Sequence, residues 1–428
     1  MKNLVIFSFF VLFLFSLDGI AQDSTKTKRQ LRKEKKAAKK AEPPHKGSFY
    51  ITPLPAIGQN PAWGFMYGAV VTGSWYMGDP ATTSISSLTT GLILTTKSQT
   101  LFTIKGTSYS KENKWKYDID WRLLKTSQPT YGLGTGPLSA QLASNGFEID
   151  DGVFSKKIDE EQLMNYNFLR FHQTVSKRFG DNIYLGLGYH FDKFKNVEDN
   201  LLDLNPEDGS EPVITNYYAY NHKYGFNQDK STLSGVSLNA TFDTRDNINN
   251  TYSGRYALVS FHINPEFLGS DQSSSTLWLE YRDYFDLSKK KDHKNIFAVW
   301  WFGNFTTSGT LPYMNLPALG YDQMSNSGRG YAQGRFRGEN LMYTEIEYRR
   351  MLLGTKKNPD FFGIAVFANA TTASGKDSDI NLFQYIDPAV GAGLRFMVEK
   401  QSRTTLAIDF AVGKYGAKGF YLALNQAF

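Results

Sequence analysis

Apolar and polar residues alternate along most of this chain, and this alternation limits the folds open to it. One row is formed by Val236, Leu238, Ala240 and Phe242, and the opposite row by Ser237, Asn239, Thr241 and Asp243. A period of two places successive side chains on opposite faces of a β-strand. The pattern therefore predicts an all-β protein whose strands each have one apolar and one polar face.

Sixteen segments show strand character. Their approximate spans are 49–57, 62–77, 83–95, 98–110, 113–126, 164–180, 182–195, 231–245, 252–265, 273–288, 293–307, 339–352, 361–373, 384–399, 402–413 and 418–428. The long connections 127–163, 196–230 and 308–338 all follow odd-numbered strands, whereas most connections after even-numbered strands are short. Outer-membrane barrels have long outer loops and short periplasmic turns. We therefore predict a 16-stranded antiparallel transmembrane β-barrel of the bacterial cell outer membrane.

Composition agrees with a barrel more than with a soluble protein. The mean hydropathy is −0.39 and 41% of residues are hydrophobic, which by itself is typical of a soluble chain. A barrel gives the same averages, because lipid-facing and lumen-facing residues alternate. The 32 Phe, 25 Tyr and 7 Trp are an unusually large aromatic set. Barrels place such residues in girdles at both membrane interfaces.

The N-terminus has the features of an export signal. Lys2 supplies a basic start, the segment from Leu4 to Leu17 is largely apolar, and Gly19 and Ala21 are small. That apolar run is shorter than the roughly 20 residues of a membrane-spanning helix. We therefore expect a signal peptide over residues 1–21.

The formal charge of +6 comes from one short segment. Residues 22–47 contain ten Lys or Arg and three acids, so residues 48–428 are close to neutral. We interpret residues 22–47 as a basic periplasmic linker and residues 48–428 as the barrel. A basic tail of this length is not a nucleic-acid-binding face, and we expect no nucleic-acid partner. The chain has no cysteine, which excludes a disulfide framework.

The stretch from Gly328 to Asn340 contains four glycines and three arginines just before a predicted strand. Such a loop indicates arginines held against acidic partners, with backbone packed too closely for larger side chains.

In the last segment, which opens at Gly419, the residues Phe420, Leu422, Leu424 and Phe428 share one predicted face. This pattern predicts a closing strand that ends the barrel.

Five elements occur in order along the chain. They are Tyr131 to Gly136, a hairpin with Asp243, Arg245 and Asp246, the triplet Arg329, Gly330 and Tyr331, the segment Gly391 to Arg395, and the closing strand. Together they resemble the BamA/TamA superfamily of outer-membrane proteins, also called the bacterial surface antigen family. The resemblance covers about residues 48–428. It implies that residues 308–338 are the sixth outer loop, folded back into the barrel.

A tucked loop requires acidic groups inside the lumen, because an unpaired buried charge is costly. We expect Glu345 and Glu347, on one face of the next strand, to be the lumen partners of Arg329. The family usually has an aspartate in the following strand where this chain has Asn369. Asn369 accepts a hydrogen bond but carries no charge. Two possibilities stay open: the loop is held loosely, or it is anchored by Glu345 and Glu347 instead.

Family members that insert or export proteins carry POTRA domains before the barrel, and residues 22–47 are too few for one. The first strand contains Pro53 and Pro55, with Pro61 after it. Proline cannot donate to a ladder. Either these prolines weaken a seam between the first and last strands, or they lie just outside the paired region.

No catalytic nucleophile, acid–base pair or metal-ligand spacing emerges, so we expect no enzyme, metal or cofactor. The resemblance implies insertion or translocation of protein, or of lipid, at the outer membrane through a lateral seam. Expected partners are outer-membrane lipid, client polypeptides and a partner protein. The alternative is a passive pore or a structural surface barrel that has lost the transport role.

Overall fold

The computed structural model describes residues 43–60, 64–137, 148–150, 152–154, 158, 160–289, 293–355 and 358–428. The predicted signal peptide, nearly all of the predicted linker and Pro61 lie outside these residues. Of the two units of the chain, Met1–Pro43 and Pro44–Phe428, the second contains every described strand.

Sixteen strands form one antiparallel sheet in which each strand pairs with its neighbour along the chain. They are β1 (Phe49–Asn60), β2 (Gly64–Trp75), β3 (Ser86–Thr95), β4 (Thr100–Tyr109), β5 (Trp115–Thr130), β8 (Gln162–Arg178), β9 (Ile183–Asp199), β10 (Ser231–Asp243), β11 (Gly254–Asn264), β12 (Ser274–Asp286), β13 (Asn295–Gly309), β14 (Asn340–Leu353), β15 (Phe362–Ser374), β16 (Asp387–Glu399), β17 (Thr404–Gly413) and β18 (Lys418–Leu424). The remaining two, β6 (Glu148–Asp150) and β7 (Val153–Phe154), form a separate hairpin in the connection after β5. The predicted fold class, a 16-stranded antiparallel β-barrel, is confirmed.

The apolar face of the sheet is exposed and its polar face is buried, which is the reverse of the arrangement in a soluble protein. Along β14 the buried row includes Glu345, Glu347 and Arg349, whereas Ile346 between them is 47% exposed. The same inversion occurs on β10, where Leu238 is 58% exposed. An apolar outer face and a polar enclosed face are the pattern of a barrel in lipid. The charged side chains of β14 therefore point into the lumen.

The connections sort by length between the two ends of the barrel. The described parts of the connections after β5, β9 and β13 lie at one end, here called the long-loop end. Turns such as 244–253 and 400–403 lie at the other, the short-turn end, where β1 begins. The predicted parity of loop lengths agrees with this arrangement. Among the described helices, none is long and apolar enough to cross a membrane.

One helix, α1 (Asn216–Tyr224), lies in the long loop after β9 and was not predicted from the sequence. Thr215 caps it by accepting a hydrogen bond from the backbone N–H of Tyr218, and Gly225 ends it in a left-handed conformation. Such caps satisfy the unpaired groups of helix ends. The helix has no pronounced apolar stripe, so the periodicity that reveals most helices was missing.

An apolar cluster covers the lumen at the long-loop end. Tyr217 and Tyr220 of α1 pack against Tyr313, with ring centroids 5.8 Å apart in both pairs. Phe168 and Phe194 stack below them at 4.3 Å. Aromatic groups buried in contact contribute beyond their area alone. The lumen is therefore covered at this end by side chains from two long loops.

Candidate functional site

Residues 310–339, between β13 and β14, fold back into the barrel and are called the lumen loop. Its Leu319 and Phe336 are buried in one cluster with Trp300 and Tyr343 of the barrel wall. Burial of apolar side chains stabilises one path of a loop, in addition to any charged contacts that the loop makes. The loop enters the lumen because its apolar side chains find partners there.

Arg329 lies at the tip of the lumen loop and is 4% exposed. Its guanidinium is paired with Glu345 and lies 2.5 Å from Glu347 Oε2. Its Nη1 donates to Asp409 Oδ2 at 2.7 Å. The structure thus brings together Arg329 and both glutamates named from the sequence. Asp409, on β17, was not named as a partner, although it lies in the polar row of its strand.

Two more arginines complete an ionic network around this tip. Arg395 Nη1 lies 2.5 Å from Asp409 Oδ1, and Arg395 Nη2 lies 3.2 Å from Glu347 Oε2. Arg349 pairs with Glu347 as well. The members of the network are Arg329, Arg349, Arg395, Glu345, Glu347 and Asp409. Three positive and three negative side chains cancel, which lowers the cost of burying each of them.

Asn369 on β15 contacts the same tip through its amide. Its Nδ2 donates to the backbone oxygen of Arg329 at 2.9 Å and lies 3.4 Å from Glu345 Oε2. A carboxylate at this position could donate to neither oxygen. It would also add a fourth negative charge to a balanced network. The departure from the family's aspartate therefore has a physical reason in this chain.

Gly330 and Tyr331 hold the loop tip against the last strands. Gly330 has φ +108°, and a Cβ there would lie 2.7 Å from the Cβ of Ala389. Its N–H donates to the Tyr421 hydroxyl at 2.7 Å, and the Tyr331 hydroxyl donates to the oxygen of Pro388 at 2.6 Å. Only glycine tolerates both this conformation and this close approach.

The glycines of β16 leave space for the network. The centre of the Phe367 ring lies 3.4 Å from Arg329 Cζ, which is a cation–π contact. A Cβ on Gly391 would collide with the Phe367 ring, and one on Gly393 would collide with the Asp409 carboxylate. The segment Gly391 to Arg395, which contributed to the family resemblance, therefore leaves the space in which Arg329 and its partners pack.

The hairpin motif lies elsewhere in the barrel. Arg245 makes two hydrogen bonds to Asp243, at 2.9 and 2.8 Å, and the Tyr109 hydroxyl donates to the same carboxylate at 2.8 Å. Asp246 pairs with Arg403 at 2.6 Å. These contacts join the β10–β11 hairpin to β4 and to the turn after β16. The contacts of these three residues are with groups other than the carboxylates around Arg329.

The glycine element that follows β5 crosses the long-loop end. Gly134 N–H donates to Arg337 of the lumen loop at 2.7 Å. Gly136 N–H donates to Asp387 Oδ2, at the start of β16, at 2.8 Å. Both glycines have positive φ, and a Cβ on Gly134 would lie 2.8 Å from Ile380. The element thus links β5, the lumen loop and β16.

The prediction that Phe428 shares one face with Phe420 and Leu422 is wrong. The strand β18 stops at Leu424, and Asn425 has φ +71°. Phe428 turns into the lumen, where its ring lies 5.3 Å from Trp300 and its backbone oxygen accepts from Arg349 Nη2 at 2.9 Å. Leu424 is also buried rather than lipid-facing.

The start of the closing strand agrees with the prediction. Phe420 is 71% exposed and Leu422 is 46% exposed on the outer face. Gly419 precedes them, and a Cβ there would collide with the Tyr421 hydroxyl that holds Gly330. The alternation of β18 was therefore predicted correctly for its first part. It fails after Leu424 because a left-handed residue redirects the chain inward.

The seam is defined here as the boundary between the two end strands of the sheet, β1 and β18. In the described residues the ladders run from β1 to β18 without a ladder that joins these two strands. Pro53 and Pro55 lie within β1, opposite Val71 and Ala69 of β2. They are not outside the paired region. Proline occurs in sheets chiefly at edge strands, where a missing N–H leaves no ladder bond unmade.

Three histidines line the lumen without forming a metal centre. His172 and His190 have ring centroids 4.6 Å apart, and His190 and His262 are 4.1 Å apart. Their Nε2 atoms are engaged with Asp192, Ser237 and Ser260 respectively. Within the described part of the chain, no group of three or more His, Asp or Glu is arranged to hold a metal ion.

With this geometry established, the sequence can be compared with known families. A model of the Omp85 superfamily domain matches residues 99–428. The chain belongs to the Omp85 superfamily. This is the superfamily of the BamA and TamA barrels, so the resemblance inferred from the five motifs is confirmed. The match includes the lumen loop, the β10–β11 hairpin and β18.

Two solved Omp85 barrels are similar to this one. BamA from Haemophilus ducreyi lacking POTRA domains 1–3 has 16% sequence identity and a TM-score of 0.49, over 89% of this chain and 69% of that one. CdiB from Acinetobacter baumannii has 10% identity and a TM-score of 0.48, over 88% of this chain and 58% of that one. No curated protein matches the sequence significantly.

Proposed function

We propose that this Omp85 barrel inserts or translocates polypeptide, or lipid, at the outer membrane by opening sideways between β1 and β18. The observation that carries the proposal is the seam itself. β1 has twelve residues and β18 has seven, and no ladder joins them in the described residues. One edge of the sheet therefore extends beyond the other.

An unpaired strand edge in lipid is a binding site for another strand. Each unsatisfied backbone group in hydrocarbon costs several kcal/mol. A client segment that adds to the edge satisfies these groups, as in β-augmentation. Pro53 and Pro55 lack N–H groups, so neither can donate a ladder bond to a strand that pairs with β1. The seam is thus suited to transient pairing.

The lumen is a poor route for a polypeptide. The lumen loop and the segment 425–428 fold into it, and a cavity of about 300 Å³ remains beside them. An extended chain does not pass through such a space without displacement of the lumen loop. This supports a lateral path over an axial one.

The Arg329 network supports one side of the seam. Its carboxylates lie on β14 and β17, and Arg395 on β16 links them. Three of the four strands that precede β18, namely β14, β16 and β17, are therefore tied to the lumen loop and to each other. Opening would then move β1 and β2 away from a rigid wall, because the wall's buried charges cannot separate cheaply.

Crosslinking the seam tests the proposal. The chain has no cysteine, so Ala423 can be replaced by cysteine together with Thr52, Leu54 or Ala56 of β1. The control pair is Thr72→Cys with Thr89→Cys, which lie opposite each other on β2 and β3, away from the seam. The readout is the folding rate of a urea-unfolded outer-membrane β-barrel client in vesicles, followed by heat-modifiable gel mobility.

We expect each reduced variant to accelerate client folding above protein-free vesicles, and oxidation to abolish the gain for a seam pair but not for the control pair. Equal activity of the oxidised and reduced seam variants would overturn lateral opening. Transfer of a fluorescent phospholipid, measured on the same variants, separates lipid from polypeptide as the substrate class.

A further inference from the structure

The turn between β10 and β11, residues 244–253, reaches across the short-turn end to the seam. β10 and β11 are the eighth and ninth of the sixteen sheet strands, so they lie opposite the two edges. Yet Asn247, Asn249 and Asn250 of this turn are only 3–5% exposed. Buried amides need hydrogen-bond partners, and these partners come from the strands at the seam.

Asn249 contacts both sides of the seam at once. Its Nδ2 donates to Ser74 Oγ at 3.0 Å, and Ser74 lies on β2 opposite Tyr50 of β1. The same Nδ2 donates to the backbone oxygen of Ser402, in the turn between β16 and β17, also at 3.0 Å. Its Oδ1 accepts from Asn425 Nδ2 at 3.2 Å, just after β18.

Other residues of the turn contact the β17–β18 side alone. Asn250 Nδ2 donates to Thr405 Oγ1 at 3.1 Å, and Asp246 pairs with Arg403 at 2.6 Å. The Arg403 guanidinium also lies 4.1 Å from the Tyr252 ring centre. Burial raises the pKa of Tyr252, so its phenol stays neutral beneath that cation. This side of the turn is therefore held firmly.

Hydrogen bonds within the turn fix its conformation, independently of its contacts with the strands at the seam. Asn247 Oδ1 accepts from the N–H groups of Asn249 and Asn250, at 2.8 and 3.2 Å. Asp246 Oδ1 accepts from the N–H of Tyr252 at 3.0 Å. Side chains that bond to their own backbone fix turn geometry. Asn249 is thus presented to both edges in a fixed orientation.

We propose that residues 244–253 form a clasp that holds the seam closed and that Asn249 is its positioning residue. The inference rests on the proposed lateral opening. The link to β2 is a neutral hydrogen bond, whereas the link to the turn after β16 includes an ion pair. Neutral hydrogen bonds contribute modestly to stability. The β2 side is therefore the side that releases.

The test measures the width of the seam. Cysteines replace Ala69 on β2 and Phe410 on β17, both exposed on the outer face, and carry spin labels. Distances are recorded by pulsed electron resonance in phosphatidylcholine vesicles. We expect Asn249→Ala to raise the population of long distances about fivefold, as the loss of one net hydrogen bond predicts. Ser74→Ala removes only the β2 contact of Asn249, together with the Ser74–Ser87 hydroxyl contact between β2 and β3 at 3.2 Å, and should act in the same direction.

Asn250→Ala is the matched control, because it removes a buried amide of the same turn that contacts one side of the seam. It should leave the distances unchanged. Unaltered distances in both Asn249→Ala and Ser74→Ala would overturn the clasp, even if seam disulfides still block client folding. A widened seam with no change in client folding would instead retain the clasp and count against the proposed function.

Discussion

Arg329 and Asp409 form an ion pair, with 2.7 Å between Nη1 and Oδ2, although they are 80 positions apart in the sequence. The contact ties the lumen loop to β17, one strand from the seam. Glu345 and Glu347 are only 16 and 18 positions from Arg329. The distant partner is the one that links the loop to the end of the sheet.

Arg329→Ala should destabilise the barrel by about 3–5 kcal/mol, because it leaves buried carboxylates without their shared cation. The measurement is urea unfolding in vesicles, followed by heat-modifiable gel mobility. Arg329→Lys keeps the charge but replaces the planar, five-donor guanidinium by a compact ammonium with three donors, so it should lie between the alanine variant and the parent protein. A parent-like midpoint for Arg329→Ala would show that the loop does not depend on this network.

Asn369→Asp should destabilise the barrel, although the family usually has aspartate there. The new carboxylate would face Glu345 and the backbone oxygen of Arg329, both now contacted by the amide. We expect a loss of about 1–3 kcal/mol, the cost of unpaired buried polar groups. The loss should shrink below pH 4, where a carboxyl group becomes protonated. Increased stability at pH 7 would contradict the charge-balance argument.

Gly393→Ala should weaken the network without removing any charge. A Cβ at this position would collide with the Asp409 carboxylate, so Asp409 must move away from Arg329. Overpacking of this kind costs about 1–3 kcal/mol. Gly73→Ala is the control, because a Cβ there meets only the Phe49 ring at an ordinary 3.6 Å. Equal unfolding midpoints for the two variants would refute this explanation of the β16 glycine.

Phe428→Ala should destabilise the barrel by about 3–5 kcal/mol, the range for removal of a buried aromatic ring. Phe420→Ala is a matched comparison, because Phe420 lies 71% exposed on the outer face of β18. Its replacement should cost much less. The two phenylalanines share one face in the sequence pattern, so a similar loss for both would support that pattern against the inward turn after Leu424.

The purified protein in a planar bilayer should give a low, flickering conductance, because the lumen loop occupies the barrel. Arg329→Ala should increase the conductance, since the loop tip loses its anchor in the wall. A large, steady open pore in the parent protein would instead favour the passive-pore alternative. A parent-like conductance in Arg329→Ala would indicate that apolar packing, such as that of Phe336, holds the loop by itself.

Sequence reasoning predicted the sheet well and the site in part. Alternation placed Glu345 and Glu347 in the lumen because a strand's period of two assigns each side chain to a face. It also placed Asp409 on the polar row of β17, but it could not say which lumen residues meet. Those meetings depend on the stagger of neighbouring strands and on the path of the lumen loop, which local patterns do not encode.

The end of the chain marks the limit of local patterns. Phe428 continues the apolar period of β18, yet its ring lies against Trp300 inside the barrel. The inward turn becomes favourable only when Arg349 on β14 and Asn249 in the turn after β10 supply partners for Phe428 and Gln426. These partners, and not the period of two, decide whether Phe428 lies against lipid or in the lumen.

By itself, the sequence determined the sixteen strands of the main sheet, the lipid-facing rows of strands such as β10 and β14, and the family to which the barrel belongs. These follow from local alternation and motif order, which act within a strand or a turn. Only the tertiary structure decided the partner set of Arg329, the inward path of residues 425–428 and the reach of Asn249 across the seam. Each of these depends on contacts between residues far apart in sequence, whose distances are fixed when the sheet curves into a barrel.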